Sequence, residues 1–222
     1  MSYTVLARKY RPQKLSELIG QDTLVKVITN SFRLNRIAHA FLLTGSRGIG
    51  KTSTARIIAK GLNCIEPSNN NLPTVDPCGK CETCISITES RHIDVIEMDA
   101  ASRTGVSDVR EIIDNIDYKT VYARFKVYII DEVHMLSNSA FNALLKTLEE
   151  PPQHVKFIFA TTEVLKIPNT IISRCQRFDL ERIDNQLIIK HLSDICNKED
   201  IDFSLSALSM ISNVSEGSVR DA

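Results

Sequence analysis

The sequence predicts an α/β fold: a five-stranded parallel sheet flanked by helices, with a cysteine-bearing insertion and a smaller all-helical unit behind it. Three observations predict it. Short apolar runs at residues 39–44, 92–98, 124–130, 155–162 and 177–180 alternate with helical patterns, the order that builds a parallel sheet. Between the first run and its helix, Gly45, Gly50, Lys51 and Thr52 fit G-x-x-x-x-G-K-[ST], a phosphate-binding spacing. From about Ile183 the periodicity is purely helical, with Leu187, Ile188, His191, Leu192 and Ile195 followed by Leu205, Leu208 and Ile211, which puts a domain boundary near residue 180. The expected division is 1–180 for the sheet domain, with the insertion at about 64–90, and 181–222 for a helical unit that stops short within a helix start.

Composition bounds the function. The 222 residues suffice for one α/β domain and a small satellite. Lys+Arg and Asp+Glu both number 27, so overall charge gives no argument for nucleic-acid binding, although a local basic face stays open. No stretch reads as a membrane span, and the N-terminus lacks a signal peptide's apolar core. A nucleotide-dependent, unexported chain is expected in the cytoplasm, where six cysteines read as metal ligands or buried thiols before disulfides.

Taken in order, the chain opens with a basic cluster, Arg8 to Pro12. Tyr10, Arg11 and Pro12 read equally as a solvated arm or as a cover over a nucleotide base. Asp22 is placed to cap a helix over Leu24, Val25, Val27 and Ile28. In the loop Gly45-Ser46-Arg47-Gly48-Ile49-Gly50-Lys51-Thr52-Ser53, glycines let successive backbone N–H groups turn inward on a triphosphate, and the next helix adds its positive end. Lys51 would reach the outer phosphates and the Thr52 hydroxyl would ligate Mg²⁺.

Cys64, Cys78, Cys81 and Cys84 can supply four thiolates, three of them at x₂ spacing. Four sulfurs suit a tetrahedral structural Zn²⁺ site with no open position. Its role would be to pin a polar insertion with too few apolar residues to order itself. Arg103 and Arg110, near the start of the helix after the second run, read as solvated surface.

Asp131 and Glu132 end the third apolar run, at the sheet edge where ligands of open α/β sheets bind. Asp131 is placed to hold Mg²⁺ through water, and Glu132 to orient and deprotonate an attacking water. His134 reads as a packing or network residue. Ser139 to Glu150 is an amphipathic helix stopped by Pro151-Pro152. Thr162 at the end of the fourth run would hydrogen-bond a γ-phosphate or merely cap a turn; alone it favours the cap. Cys175 reads as a small buried hydrophobe.

The landmarks Gly45–Thr52, Asp131-Glu132, Ala160-Thr161-Thr162, Ser173-Arg174-Cys175 and Gly217-Ser218-Val219-Arg220-Asp221-Ala222, in that order, resemble the AAA+ ATPases of the clamp-loader clade. The cysteine insertion, with Leu6–Pro12, Glu97–Thr104 and Phe141–Pro152, narrows the resemblance to the gamma/tau family of bacterial DNA polymerase III clamp loaders. It implies an ATP hydrolase within a DNA-directed DNA polymerase holoenzyme, using ATP, Mg²⁺ and structural Zn²⁺. Arg174 would act in trans as an arginine finger; Thr162 takes the sensor-one place and Arg220, in a helical lid, the sensor-two place. Tyr10 and Arg11 would cover the adenine. Arg103 and Arg110 would face primer–template DNA without reading sequence, though Gly105 stands where a basic residue would help. Implied partners are delta and delta-prime subunits in a hetero-pentameric ring and a sliding clamp, with no membrane. Without the family's C-terminal collar this stretch is expected to be monomeric or weakly associating. Two rivals are a delta-prime-like structural stator and a branch-migration helicase.

Overall fold

The computed structural model describes residues 5–66, 72–102 and 106–222. A one-turn helix α1 (Leu6–Lys9) and helix α2 (Asp22–Arg33) precede β1 (Ala40–Thr44). Then come α3 (Lys51–Asn63), α4 (Glu82–Thr88), β2 (Val95–Asp99), α5 (Val106–Ile116), β3 (Lys126–Asp131), α6 (Asn138–Glu149), β4 (Val155–Thr161), the short α7 (Asn169–Ile172) and β5 (Gln176–Asp179). Helices α8 (Asn185–Lys198) and α9 (Leu205–Val214) follow.

The strands form one parallel sheet in the order β2-β3-β4-β1-β5. β1 is wholly buried, because helices cover both faces and a strand so placed has no solvent side to make polar. Period-2 alternation divides the core. Phe41, Leu43, Val127, Ile129, Ile158 and Ala160 meet Leu24, Ile28 and Phe32 of α2 and Ile57, Ile58 and Leu62 of α3. Ala40, Leu42, Tyr128, Ile130, Phe157 and Phe159 meet Val109 and Ile112 of α5 and Phe141, Leu144 and Leu148 of α6. A sheet held from both sides fixes where its strand ends lie, and those ends carry the chemistry. Among the described residues no helix is long and apolar enough to cross a membrane.

Local corrections are small and have causes. Asp22 is not the cap of α2: Gln21 holds that place and makes no side-chain capping bond, while Asp22 sits in the first turn, where its charge favours the helix N-terminus. The cap of α6 is Ser137, which accepts from the Ala140 N–H, so the helix starts one residue earlier than its apolar stripe indicates. Asp184 caps α8 through the Gln186 N–H. The cysteine insertion contains a helix, α4, that apolar periodicity did not reveal, because only Thr83, Cys84 and Ile87 of its seven residues are buried.

Candidate functional site

The ends of β1, β3 and β4 meet at one edge of the sheet. Past β1 the chain turns through three glycines at positive φ: Gly45 at 138°, Gly48 at 80° and Gly50 at 103°. A Cβ on Gly45 would lie 2.4 Å from the Ile49 side chain and 2.6 Å from the Leu180 carbonyl oxygen, so both space and backbone require glycine. The turn delivers Lys51 and Thr52 to the start of α3. Lys51 is 6 % exposed and its ammonium donates to the Gly45 and Ser46 carbonyls, each at 2.8 Å. Burial pushes the Lys51 pKa down, and Glu132 and Asp131 pull it back up. A cation resting on its own loop beside two carboxylates is what an arriving phosphate would draw outward.

The Thr52 hydroxyl donates to Asp131 Oδ2 at 2.6 Å, joining the two residues expected at Mg²⁺. Asp131 Oδ1 accepts from the Glu132 N–H at 2.9 Å. Glu132 sits at φ 45°, a strained conformation for a non-glycine residue and one that gathers at functional sites. Its Oε2 accepts from the Thr162 N–H at 3.2 Å and the Thr162 hydroxyl at 3.0 Å. Lys51, Thr52, Asp131, Glu132 and Thr162 therefore share one cleft. The donor set fits a metal-bound triphosphate: a hydroxyl and a carboxylate for the ion, backbone N–H groups and an ammonium for the anion.

The C-terminal segment reaches the same cleft. The Arg220 N–H donates to the Gly48 carbonyl at 3.3 Å, and Ser218 Oγ would lie 1.9 Å from a Cβ on Gly48. Gly48→Ala is therefore expected to lift this segment off the loop; amide exchange at Arg220 should quicken markedly, the conformational strain alone costing about 1–3 kcal/mol. Arg11 is half-buried, and burial lowers its pKa, with the nearby charges of Arg56 and Arg220 acting the same way. Glu97 opposes them.

Other expected residues fall elsewhere. The Tyr10 hydroxyl donates to Glu199, the residue just past the end of α8, and its ring lies near Lys9 and Lys198, at 5.6 Å and 5.7 Å from the two ammonium groups. Tyr10 thus ties the N-terminal arm to the C-terminal helices. Arg174 lies at the opposite end of the sheet from the loop. It precedes β5, whose first residue Gln176 pairs with Phe41 near the start of β1, whereas the phosphate loop follows Thr44. Strand length alone separates them by about 13 Å. Arg174 reaches Glu149 at 2.5 Å and is 32 % exposed. Arg103 and Gly105 lie outside the described residues, as does the Arg110 side chain.

The Sγ atoms of Cys64, Cys78, Cys81 and Cys84 all lie within 4.8 Å of one another. Backbone N–H groups of Cys78, Lys80, Cys81 and Cys84 point at these sulfurs at 3.3–3.5 Å. Burial pushes the Cys84 thiol up, so without a bound cation it would stay protonated. The set has the make-up of a closed tetrahedral metal site.

His134 takes the packing and network place expected of it, while sequence reasoning missed two other contacts. The His134 side chain is 6 % exposed and stands between Glu132 at 3.4 Å and Glu163 at 3.3 Å, with Thr161 Oγ1 at 3.0 Å from Nδ1. Arg56 pairs with Glu97 of β2 at 2.7 Å, and Glu199 anchors Tyr10; neither stands in any recognisable pattern.

Comparison with known proteins agrees with this geometry. A family model described as DNA polymerase III, delta subunit, matches residues 20–184. One described as DNA polymerase III clamp loader subunit, ATPase lid domain, matches residues 187–222. The whole chain is 51 % identical to DNA polymerase III subunit tau of Escherichia coli, covering 34 % of that protein. It is 47 % identical to subunit tau of Bacillus subtilis, covering 38 % of it, and 54 % to subunit gamma of Buchnera aphidicola from Acyrthosiphon pisum, covering 60 %. The chain thus spans about a third of the length of the tau relatives. Among solved structures, the RuvB Holliday junction branch migration motor of Thermotoga maritima superposes with TM-score 0.66 at 19 % identity, over 96 % of this chain and 62 % of that one; at that identity the likeness shows the AAA+ fold alone. With the phosphate loop, the acidic strand end and the cysteine cluster in place, and matches running from one end of the sequence to the other, the chain belongs to the DNA polymerase III clamp-loader subunits, in the gamma/tau family.

Proposed function

We propose that this chain is the ATP-hydrolysing motor portion of a clamp loader, using ATP to open a sliding clamp and load it on primer–template DNA. The observation that supports this best is the convergence of Lys51, Thr52, Asp131, Glu132 and Thr162 on one cleft, with the Arg220 segment docked on Gly48. Bound ATP and Mg²⁺ would supply the transferable γ-phosphoryl and the charge that binds it. Backbone N–H groups of residues 45–53 and Lys51 hold the phosphates; Thr52 and Asp131 hold the ion. Glu132 takes the proton of the attacking water, with Thr162 fixing one of its oxygens. Arg220 senses the γ-phosphate from the lid, so that occupancy closes residues 181–222 onto residues 1–180. Arg11 borders the base, on an arm that Tyr10 ties to Glu199. Arg174 completes the site of a neighbouring subunit, in a ring that would include delta and delta-prime subunits, and Arg103 and Arg110 face DNA phosphates. The cysteine cluster holds structural Zn²⁺. We assign ATP hydrolysis to this chain and not chain elongation by the holoenzyme.

The test is nucleotide titration of the full-length protein beside Lys51→Ala. Micromolar binding lost by at least about 100-fold in the variant, some 2.7 kcal/mol, is expected. Equal binding by both would refute the assignment. The delta-subunit match over residues 20–184 also favours a second reading, a structural stator of the same fold; absence of binding by the unaltered protein would support it.

A further inference from the structure

Lys60 has no part in the nucleotide site, yet it is the most deeply buried lysine among the described residues, at 1 % exposure. Its ammonium has one hydrogen-bond partner among the described residues, Gln13 Oε1 at 2.7 Å. One neutral amide is thin compensation for a buried cation. Burial pushes the Lys60 pKa down. The same Gln13 Oε1 lies 3.3 Å from the Thr88 hydroxyl, which donates to the Cys84 carbonyl at 2.9 Å, so the ammonium sits beside the cluster. Arg124 touches the cluster's backbone directly. Its guanidinium donates to the Leu62 carbonyl at 2.5 Å and to the carbonyl of Cys64 itself. Its Nε is buried with no hydrogen-bond partner among the described residues.

Four thiolates around one divalent ion carry a net charge of about −2. Cys64 directly follows the C-terminal end of α3, the negative end of a helix, which makes an anion there more costly. We propose that Lys60 and Arg124 form the cationic outer shell of the tetrathiolate centre, cancel its excess charge and set how tightly it keeps its metal. This rests on the reading of the cluster as a zinc site. Lys60, in the last turn of α3, and Arg124, just ahead of β3, approach the cluster from separate parts of the fold. Outer-shell partners of this kind change metal affinity by about 10- to 100-fold.

The experiment measures zinc content of the purified full-length protein, then the rate of zinc transfer to a chromogenic chelator, for Lys60→Met, Lys60→Arg, Arg124→Met and Arg124→Lys. Methionine keeps the bulk and removes the charge; the basic replacements keep the charge. Release is expected to speed up about 10- to 100-fold in each methionine variant and to stay within about threefold in Lys60→Arg and Arg124→Lys. Cobalt substitution gives a second readout, since loss of a nearby cation should shift the thiolate-to-cobalt charge-transfer band. Unchanged release from folded methionine variants overturns the shell while leaving the zinc reading intact. Equal acceleration in Lys60→Arg and Lys60→Met also overturns it, because packing would then be the cause. Zinc-free unaltered protein overturns both. Arg124 also binds carbonyls at the end of α3; if Arg124→Met fails to fold, the Lys60 pair decides.

Discussion

In the assembled loader, Arg174→Ala should lower steady-state ATP hydrolysis by about 10³-fold or more while nucleotide affinity stays within about twofold. The geometry makes the two effects separable. Arg174 sits ahead of β5 at the end of the sheet away from its own phosphate loop, so nothing it does can touch its own nucleotide. Its present partners are Glu149 at 2.5 Å, 51 % exposed, and the Thr170 carbonyl at 2.7 Å, and an ion pair so open to water contributes about 0–1 kcal/mol. Breaking it to reach a neighbouring subunit therefore costs little, and losing it leaves the fold stable. Arg174→Lys should recover only part of the rate, since a single ammonium cannot bridge two phosphoryl oxygens as the guanidinium fork does. The measurement is hydrolysis by the reconstituted complex, with nucleotide binding followed in parallel. Full turnover with Arg174→Ala would remove the trans role and leave Arg174 a surface residue paired with Glu149.

What could be read in advance follows a physical line. The phosphate loop was legible because Gly45, Gly48 and Gly50 all stand at positive φ and Lys51 must open a helix, constraints that act over a few consecutive residues. The acidic strand end was legible because a run buried on both faces, Val127 to Ile130, stops at two carboxylates. The cysteine cluster was legible from ligand spacing, which fixes a tight turn. Strand order, by contrast, is not written in any local pattern, and neither are contacts between distant segments. The Tyr10 hydroxyl finds Glu199 at a separation of 189 residues. The Ser218 and Arg220 segment docks on Gly48 through one hydrogen bond and a close approach. Lys60 looks like an ordinary polar residue of an amphipathic helix; only the fold shows that its side of α3 is covered by Gln13 and the cysteine insertion. Thr162 is the middle case. Its position at a strand end was plain, but its hold on Glu132 depends on β4 and β3 being neighbours.

The largest effect on stability should come from Cys84→Ser, and it should be local. A structural tetrathiolate zinc contributes on the order of 10–16 kcal/mol in small zinc modules, comparable to the whole stability of a domain. Loss of the ion can cost no more than the free energy of opening the part of the fold that depends on it. That part is bounded here. Among the described residues, 64–90 attach to the sheet domain through Thr83, Cys84 and Ile87 of α4, the Thr74 N–H on the Gly61 carbonyl at 2.8 Å, Arg124 on the Cys64 carbonyl, the exposed Lys14–Asp76 pair at 2.9 Å and the Ser90 hydroxyl on Glu97 at 3.4 Å. The strands have their own two-sided core, to which the insertion adds mainly Ile87. Cys84→Ser is therefore expected to lose zinc and to release the amides of residues 78–88, whose exchange protection should fall by about 100-fold or more, while β1, β3 and β4 keep theirs within about threefold. The nucleotide loop should not notice. It lies at the other end of α3, a helix of 13 residues and so about 20 Å away, and the helix stays pinned to the sheet by Ile57, Ile58 and Leu62. Hydrogen exchange and nucleotide titration on the same preparation check both halves. Unchanged protection at 78–88 would make the cysteines mere core residues. A tenfold fall in nucleotide affinity would mean that the insertion and the phosphate loop communicate along α3, and that the cluster is a control element for the nucleotide site and not only a clasp for its own loop.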